Sequence, residues 1–514
     1  MNKKFRLLSL VLILTLLVGG SFYSKLEAQE PEYGGKLVMT DGSFSDAKTL
    51  DPHKASAAGS MRYIENMYNT ILRYKKGSYG ELEGDLAKDY KISDDGKVYT
   101  FHLHEGVKFH NGDELTAEDV KYSVNRIIEQ NVRASHFEAV KEMEISDKYT
   151  IKFIMDKPVA PFTTFLAYPM NAIVNKNVVE ANDGSIDNAD AGSGPFKLVE
   201  WKKDQHLLLE KFEDYFVKGK PYLDQVEMRP IPDATARTTA LRNEELDMIL
   251  QLEAKNVDKL KSEEGIVVES KPGTYWEYLG LNTKEGPLSN KKVRQAVAWG
   301  IDRSMLAEMV KFGHATPLDG GPIPPGHWAH PGLEIYPEQN LDKAQALLDE
   351  AGYSDGFSTE LIVLSANDAQ KNAAMIIKQQ LAQLGIDIEI RALESSVYFN
   401  KLGNQDFKMT VIGWIGFVDP DEFLYNIFHS GEQWNQQAYS NKEVDRLLEK
   451  GRTTPDREKR KEIYKDAIKL IVEDAPMAFL YVNDQSAAYL ERVKGFDVNP
   501  TKTTNSLQDT WIAD

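Results

Sequence analysis

The chain has 514 residues, 42% of them hydrophobic and 27% charged, with a formal net charge of −18 and no cysteine. That length calls for two or three domains, the composition is that of a soluble globular protein, and the acidity argues against nucleic-acid binding because it repels phosphate backbones. The lack of cysteine excludes disulfides, thiolate metal sites, a cysteine nucleophile and a lipid carried on an amino-terminal cysteine.

Residues 1–28 form a separate unit. Lys3, Lys4 and Arg6 make a basic start, Leu7 to Val18 is apolar, and Ala28 offers a small residue at a cleavage point. This is a secretory signal pattern, and its apolar run is too short to favour a membrane span; an uncleaved anchor is the alternative. Removal takes away four cations and one anion and moves the net charge from −18 to −21. The mature protein is expected to be periplasmic or secreted and not a cysteine-linked lipoprotein.

The first expected strand is Lys36–Met39, followed by the loop that holds Gly42, Ser43, Phe44 and Ser45. Ser60 to Leu72 carries Met61, Ile64, Met67, Tyr68 and Leu72 at helical spacing. Lys97–Glu105 and Asp147–Met155 alternate as strands, and Thr116 to Asp119 reads as a capping box ahead of a helix. Strands are expected at Phe196–Trp201, Leu207–Phe212, Gln225–Ile231 and Tyr275–Leu281, with a helix at Ala234–Asn243. Ser289 and Asp302 are the expected caps of two further helices, and the Pro/Gly-rich stretch from Pro317 to Pro331 reads as a lid or an extended connection. From Leu361 the pattern is β-α-β-α-β, which implies a mainly parallel sheet.

That run ends in Lys408 to Leu424, KMTVIGWIGFVDPDEFL. Met409–Ile412 reads as a buried strand ended by Gly413; Pro420 holds Asp419 extended, and Asp421 and Glu422 open a helix. Trp414, Phe417 and Asp419 then fall in a loop at the carboxyl end of a buried strand, where open α/β sheets bind ligands. One carboxylate among aromatic rings suits a cation or an amine. The alternative is an ordinary strand-to-helix loop with Trp414 in the core and Asp419 as a helix cap.

Four longer stretches run in a fixed order: Tyr99 to Ser123, Gly192 to Trp201 (GSGPFKLVEW), Asp214 to Met248, and Tyr278 to Arg303 (YLGLNTKEGPLSNKKVRQAVAWGIDR). Together with GGKLVMT near Gly34 and DAPMAFLYV near Asp474, they resemble the solute-binding proteins of ABC importers for oligopeptides, dipeptides and nickel. The resemblance implies an α/β, periplasmic-binding-protein-like fold of cluster C type, with two lobes closing on a cleft and three domains with mixed, mainly parallel sheets. Domain I would comprise 34–72, 188–280 and 489–514, domain II 73–187 and domain III 281–488. It further implies a monomer that captures a peptide between domains I and III and delivers it to a membrane permease; the residues themselves give no expectation of catalysis, a cofactor or a metal.

The candidate ligand-binding residues are Asp419, Trp414 and Phe417 in the loop above, Trp276 and Tyr278 on one face of their strand with Tyr275 on the other, Phe44 and Ser45 after the first strand, and Asn435 in a polar loop. Peptide-binding relatives commonly place an aspartate shortly after the Gly-Trp of this loop to pair with the peptide's amino terminus; here Phe417 stands there and Asp419 remains. This departure keeps an oligosaccharide or other non-peptide solute open as the ligand. No serine-histidine-aspartate context stands out, so an exported hydrolase using a carboxylate pair is the reading from another class.

Overall fold

The computed structural model describes residues 30–42, 46–56 and 58–513. Apolar side chains gather in three main cores. The first unites Leu37 to Tyr68 with Met170–Ile186, Phe196–Leu250 and carboxyl-terminal residues such as Val493 and Leu507. The second is built from Ile71 to Ile173. The third runs from Trp276 to Val482. Met170, Val174, Val179 and Ile186 thus pack with the first core, earlier in the chain than the expected boundary near 187.

One 11-stranded sheet runs through the first and third bodies. From one edge its strands are Ile386–Leu393, Phe357–Leu364, Met409–Ile415, Ile266–Leu281, Met477–Leu490, Met248–Leu250, Lys36–Asp41, Gln225–Met228, His206–Lys211 and Phe196–Lys202, with Ala315–Pro317 added beside Met477–Leu490. The β-α-β-α-β reading holds locally, since Phe357–Leu364 runs parallel to both Ile386–Leu393 and Met409–Ile415. Elsewhere most ladders are antiparallel, so the sheets are mixed rather than mainly parallel.

Ile266–Leu281 and Met477–Leu490 join the bodies. Ile266–Pro272 pairs with Asp484–Leu490, Trp276–Gly280 pairs with Met477–Val482, and the register shifts between Pro272 and Trp276. The sequence pattern starts this strand at Tyr275, whereas the structure begins it at Ile266 and carries it through Pro272 and Gly273. The structure accommodates both residues at the irregularity, the place in a sheet where proline and glycine are tolerated. Gly273 has no room for a side chain: a β-carbon there would lie 2.8 Å from the Asn483 carbonyl oxygen.

Local chemistry sets the helix starts. Thr116 and Asp119 form the expected capping box on Ala117–Gln130, and Asp302 caps Arg303–Lys311. Lys291–Trp299 is capped by Asn290, not by Ser289, whose hydroxyl donates to the Gly286 carbonyl. Of the two readings of Pro317 to Pro331, the packing favours the extended connection, with Leu318, Ile323 and Ala329 in the third core.

Candidate functional site

Where the two long strands cross between bodies, a cleft of ≈ 250 Å³ opens. Tyr275, Glu277, Lys311, Asn483, Gln485 and Lys502 line it. Glu277 is buried and accepts from Lys311 at 2.6 Å, Asn483 at 2.9 Å and Tyr481 at 3.1 Å. Burial alone would raise its pKa, but the Lys311 charge and these donors outweigh it and hold the carboxyl below its usual range.

Lys502 has a different environment. Its ammonium lies 4.7 Å from the centroid of the Tyr275 ring and has no carboxylate partner among the described residues. Burial, joined by repulsion from Arg62, lowers its pKa to about 8. An ammonium held in the cleft on an aromatic face is prepared to receive an anion.

The cleft shares Gln251, Gln485, Ser486 and Lys502 with a second cavity, which also holds Arg62 and Thr504 and meets a third at Thr503. Arg62 donates to Asp41 at 3.0 Å and to Glu65 at 3.2 Å. Spaced three residues apart on one helix, Arg62 and Glu65 read in sequence as a solvated pair, yet both side chains are almost completely buried.

The sequence candidates divide. Tyr275 lines the cleft. Trp276 and Tyr278 point to the opposite face and lie in the third core, Trp276 at 0% exposure with its ring 4.9 Å from Tyr278 and 5.5 Å from Phe479. The alternation was legible, but the expected cleft face is the core face. Trp414 belongs to the strand, which continues through Gly413, and donates its indole N–H to the Glu422 carbonyl at 2.9 Å. Its ring stands 5.5 Å from that of Trp434.

Phe417 reaches the second body, stacking on Tyr74 at 5.8 Å and 7° and meeting Tyr168 edge-on at 5.8 Å. Val418 follows it into the second core, while its carbonyl accepts from the His327 and Trp328 rings at 2.9 and 3.0 Å.

Asp419 is corrected. Its side chain is 6% exposed, accepts two hydrogen bonds from Arg460 at 2.6 and 2.8 Å, and caps Pro420–Phe428 through the Asp421 N–H at 3.0 Å. The carboxylate is therefore already neutralised and is not a free anion in the cleft. Glu422 completes that cap by accepting from the N–H groups of Phe417, Val418 and Asp419, while burial raises its pKa to about 7.

Asn435 is corrected as well. Its amide donates to the His429 and Tyr439 carbonyls and accepts from the Tyr439 N–H, closing its own loop. Phe44 and Ser45 lie outside the described residues, as does the segment 1–28. Among the described residues no His/Asp/Glu cluster is placed to hold a metal, and no helix is long and apolar enough to cross a membrane.

Comparison with known proteins agrees with this architecture. The family model of bacterial extracellular solute-binding proteins, family 5 middle, matches residues 81–435. The probable D,D-dipeptide-binding periplasmic protein DdpA of Escherichia coli is 30% identical over 480 residues, covering 90% of this chain and 92% of its own. The ABC transporter-associated periplasmic binding protein DppA of Helicobacter pylori, solved with the peptide STSA, superimposes with a TM-score of 0.79 at 30% identity over 94% of this chain and 99% of its own. The oligopeptide-binding protein AppA of Bacillus subtilis, solved with a nonapeptide, gives a TM-score of 0.77 at 27% identity, over 94% and 100% of the two chains. The match spans more than half of the chain, and the chain belongs to the bacterial extracellular solute-binding proteins of family 5.

Proposed function

We propose that this protein is an extracytoplasmic receptor that captures a short peptide in the cleft and delivers it to the permease of an ABC importer. The observation that carries the reading is the Lys502 ammonium, held on the Tyr275 ring without a carboxylate partner in the cavity between the bodies. A peptide's terminal carboxylate matches that charge, and peptides are what the three relatives named above bind by their descriptions. Domain I (34–72, 188–280, 489–514), with domain II (73–187), forms one lobe; domain III (281–488) forms the other. The two strands joined at Pro272–Trp276 act as the hinge. Residues 1–28 direct export and are removed, and the mature chain acts as a monomer without lipid, cofactor or catalysis.

The test is native mass spectrometry of freshly purified mature protein, followed by incubation with the ligand it carries. The expected outcome is a bound peptide that is returned uncut. A co-purified oligosaccharide overturns the peptide reading, and shortened peptide products overturn the receptor reading in favour of a hydrolase.

A further inference from the structure

Beyond the intervening cavity, which it meets at Thr503, lies a smaller cavity of ≈ 50 Å³, lined by Glu65, Asn69, Arg73, Tyr74, Asp85 and Asn505 among others. Four polar atoms of its lining are buried without a hydrogen-bond partner: Glu65 Oε2, Tyr68 Oη, Tyr74 Oη and Asn505 Oδ1. Such atoms are costly to leave unmatched, so four on one cavity call for a ligand. None belongs to a loose side chain. Glu65 Oε1 accepts from Arg62 at 3.2 Å and from the Thr504 N–H at 2.9 Å, and the Glu65 side chain is only 5% exposed. The Asn505 amide nitrogen donates to the Tyr74 carbonyl at 2.8 Å.

The chemistry of Glu65 Oε2, Tyr74 Oη and Asn505 Oδ1 selects the ligand. A carboxylate oxygen and an amide oxygen are acceptors only, and a phenol oxygen can accept. A primary ammonium carries three donors and a positive charge, matching three acceptors of which one is anionic. The other charges around the cavity are engaged. Asp85 accepts from Asn69 and from the Thr70 N–H and lies 3.9 Å from Arg73, and Arg73 also donates to Glu83 at 2.8 Å. Arg62 serves both Asp41 and Glu65, so one guanidinium is shared between two carboxylates. Phe417 stacks on the Tyr74 ring at 5.8 Å.

We infer that this cavity is a subsite for a primary ammonium group of the captured solute, held by Glu65, Tyr74 and Asn505. The inference rests on the peptide reading above, where the ammonium is either the free amino end or a lysine side chain.

Three equimolar tripeptide pools test it by retention on the full mature chain: lysine-free with free amino ends, the same pool N-acetylated, and an N-acetylated pool with lysine at one position. Wild type should retain the free-ended pool at least tenfold better than the acetylated lysine-free pool. Glu65→Gln, which keeps shape and removes charge, should erase that difference. Tyr74→Phe, which removes one oxygen, serves as the second variant if Glu65→Gln fails to fold. Retention of the acetylated pool only when lysine is present assigns the subsite to a side-chain ammonium, and retention of the free-ended pool alone assigns it to the amino terminus; both support the inference. Equal retention of all three pools by wild type overturns it while leaving the peptide reading intact. Retention of none, with a non-peptide co-purified ligand, overturns both.

Discussion

Asp419 and Glu65 show how the same residue type takes different work from its surroundings. Asp419 sits in an acidic motif beside proline, which makes it conspicuous in the sequence, and the fold gives it a guanidinium and a helix cap. Glu65 sits in a helix at salt-bridge spacing and looks ordinary, yet one of its oxygens is left without a partner. Periodicity reports which face of a helix is buried; it does not report which buried polar atom lacks a mate. Asp419→Asn is expected to cost about 3–5 kcal/mol of stability, because Arg460 is left as an uncompensated buried charge. Its ligand affinity should change little at temperatures where it stays folded. Urea unfolding and calorimetric titration check the two halves, and an unchanged unfolding midpoint with a lost affinity would restore Asp419 to the cleft.

Glu65 also makes a pH prediction. Burial is the largest influence on its pKa and raises it to about 7; Arg62 and the Thr504 hydrogen bonds oppose the rise without cancelling it. Tyr74, Asp85, Arg73, Asp41 and Lys502 are the other titratable or charged groups on the surrounding elements. Because the folded pKa lies above the ordinary carboxyl value, the folded state holds this proton longer than the unfolded chain. Glu65 therefore lowers stability as pH rises from about 4.5 to about 7. Asp421 and Glu422, raised to about 6 and about 7 mainly by burial, contribute slopes of the same sign. The difference between Glu65→Gln and wild type isolates the Glu65 part: the variant should gain stability relative to wild type across that window and hold the gain above pH 7. A difference that stays flat with pH would mean Glu65 is ionised throughout.

At the level of elements, most strands and helices were legible because their apolar residues alternate or recur every turn, as in Val98–Leu103 and Asp368–Ala382. The exceptions share a cause. Gly413 and Pro272-Gly273 carry the usual marks of a strand end, but each lies inside a strand that contacts its neighbour too closely for a side chain. At Gly413 the obstacle is the Tyr275 ring, whose hydroxyl would collide with any β-carbon. At Gly273 it is the Asn483 carbonyl and the Gln485 side chain. Such glycines mark where two strands meet in space, which a single sequence cannot reveal. Gly273→Ala is expected to lower stability by about 1–3 kcal/mol by forcing the crossing strands apart. A thermal midpoint identical to that of wild type would show slack at the joint that the geometry does not have.

For the whole molecule the decisive contact is Phe417, at the position where peptide-binding relatives commonly carry an aspartate. In this fold its ring meets Tyr74 of the second body and Tyr168, which packs on the first. If the lobes hinge as proposed, opening them breaks these two ring contacts. Each aromatic pair contributes about 0.5–1.5 kcal/mol beyond its buried area, so the two together hold the closed form by about 1–3 kcal/mol. Phe417→Ala should shift the chain toward the open form and raise its radius of gyration in the absence of ligand. The association rate should change little, because encounter occurs with the open form, whereas dissociation should accelerate by roughly 5- to 150-fold, the kinetic equivalent of that energy. Small-angle scattering and stopped-flow tryptophan emission measure the two effects. If dissociation from Phe417→Ala matches wild type, the stack does not hold the lobes together, and closure must depend instead on the ligand's contacts at Lys502 and Glu65.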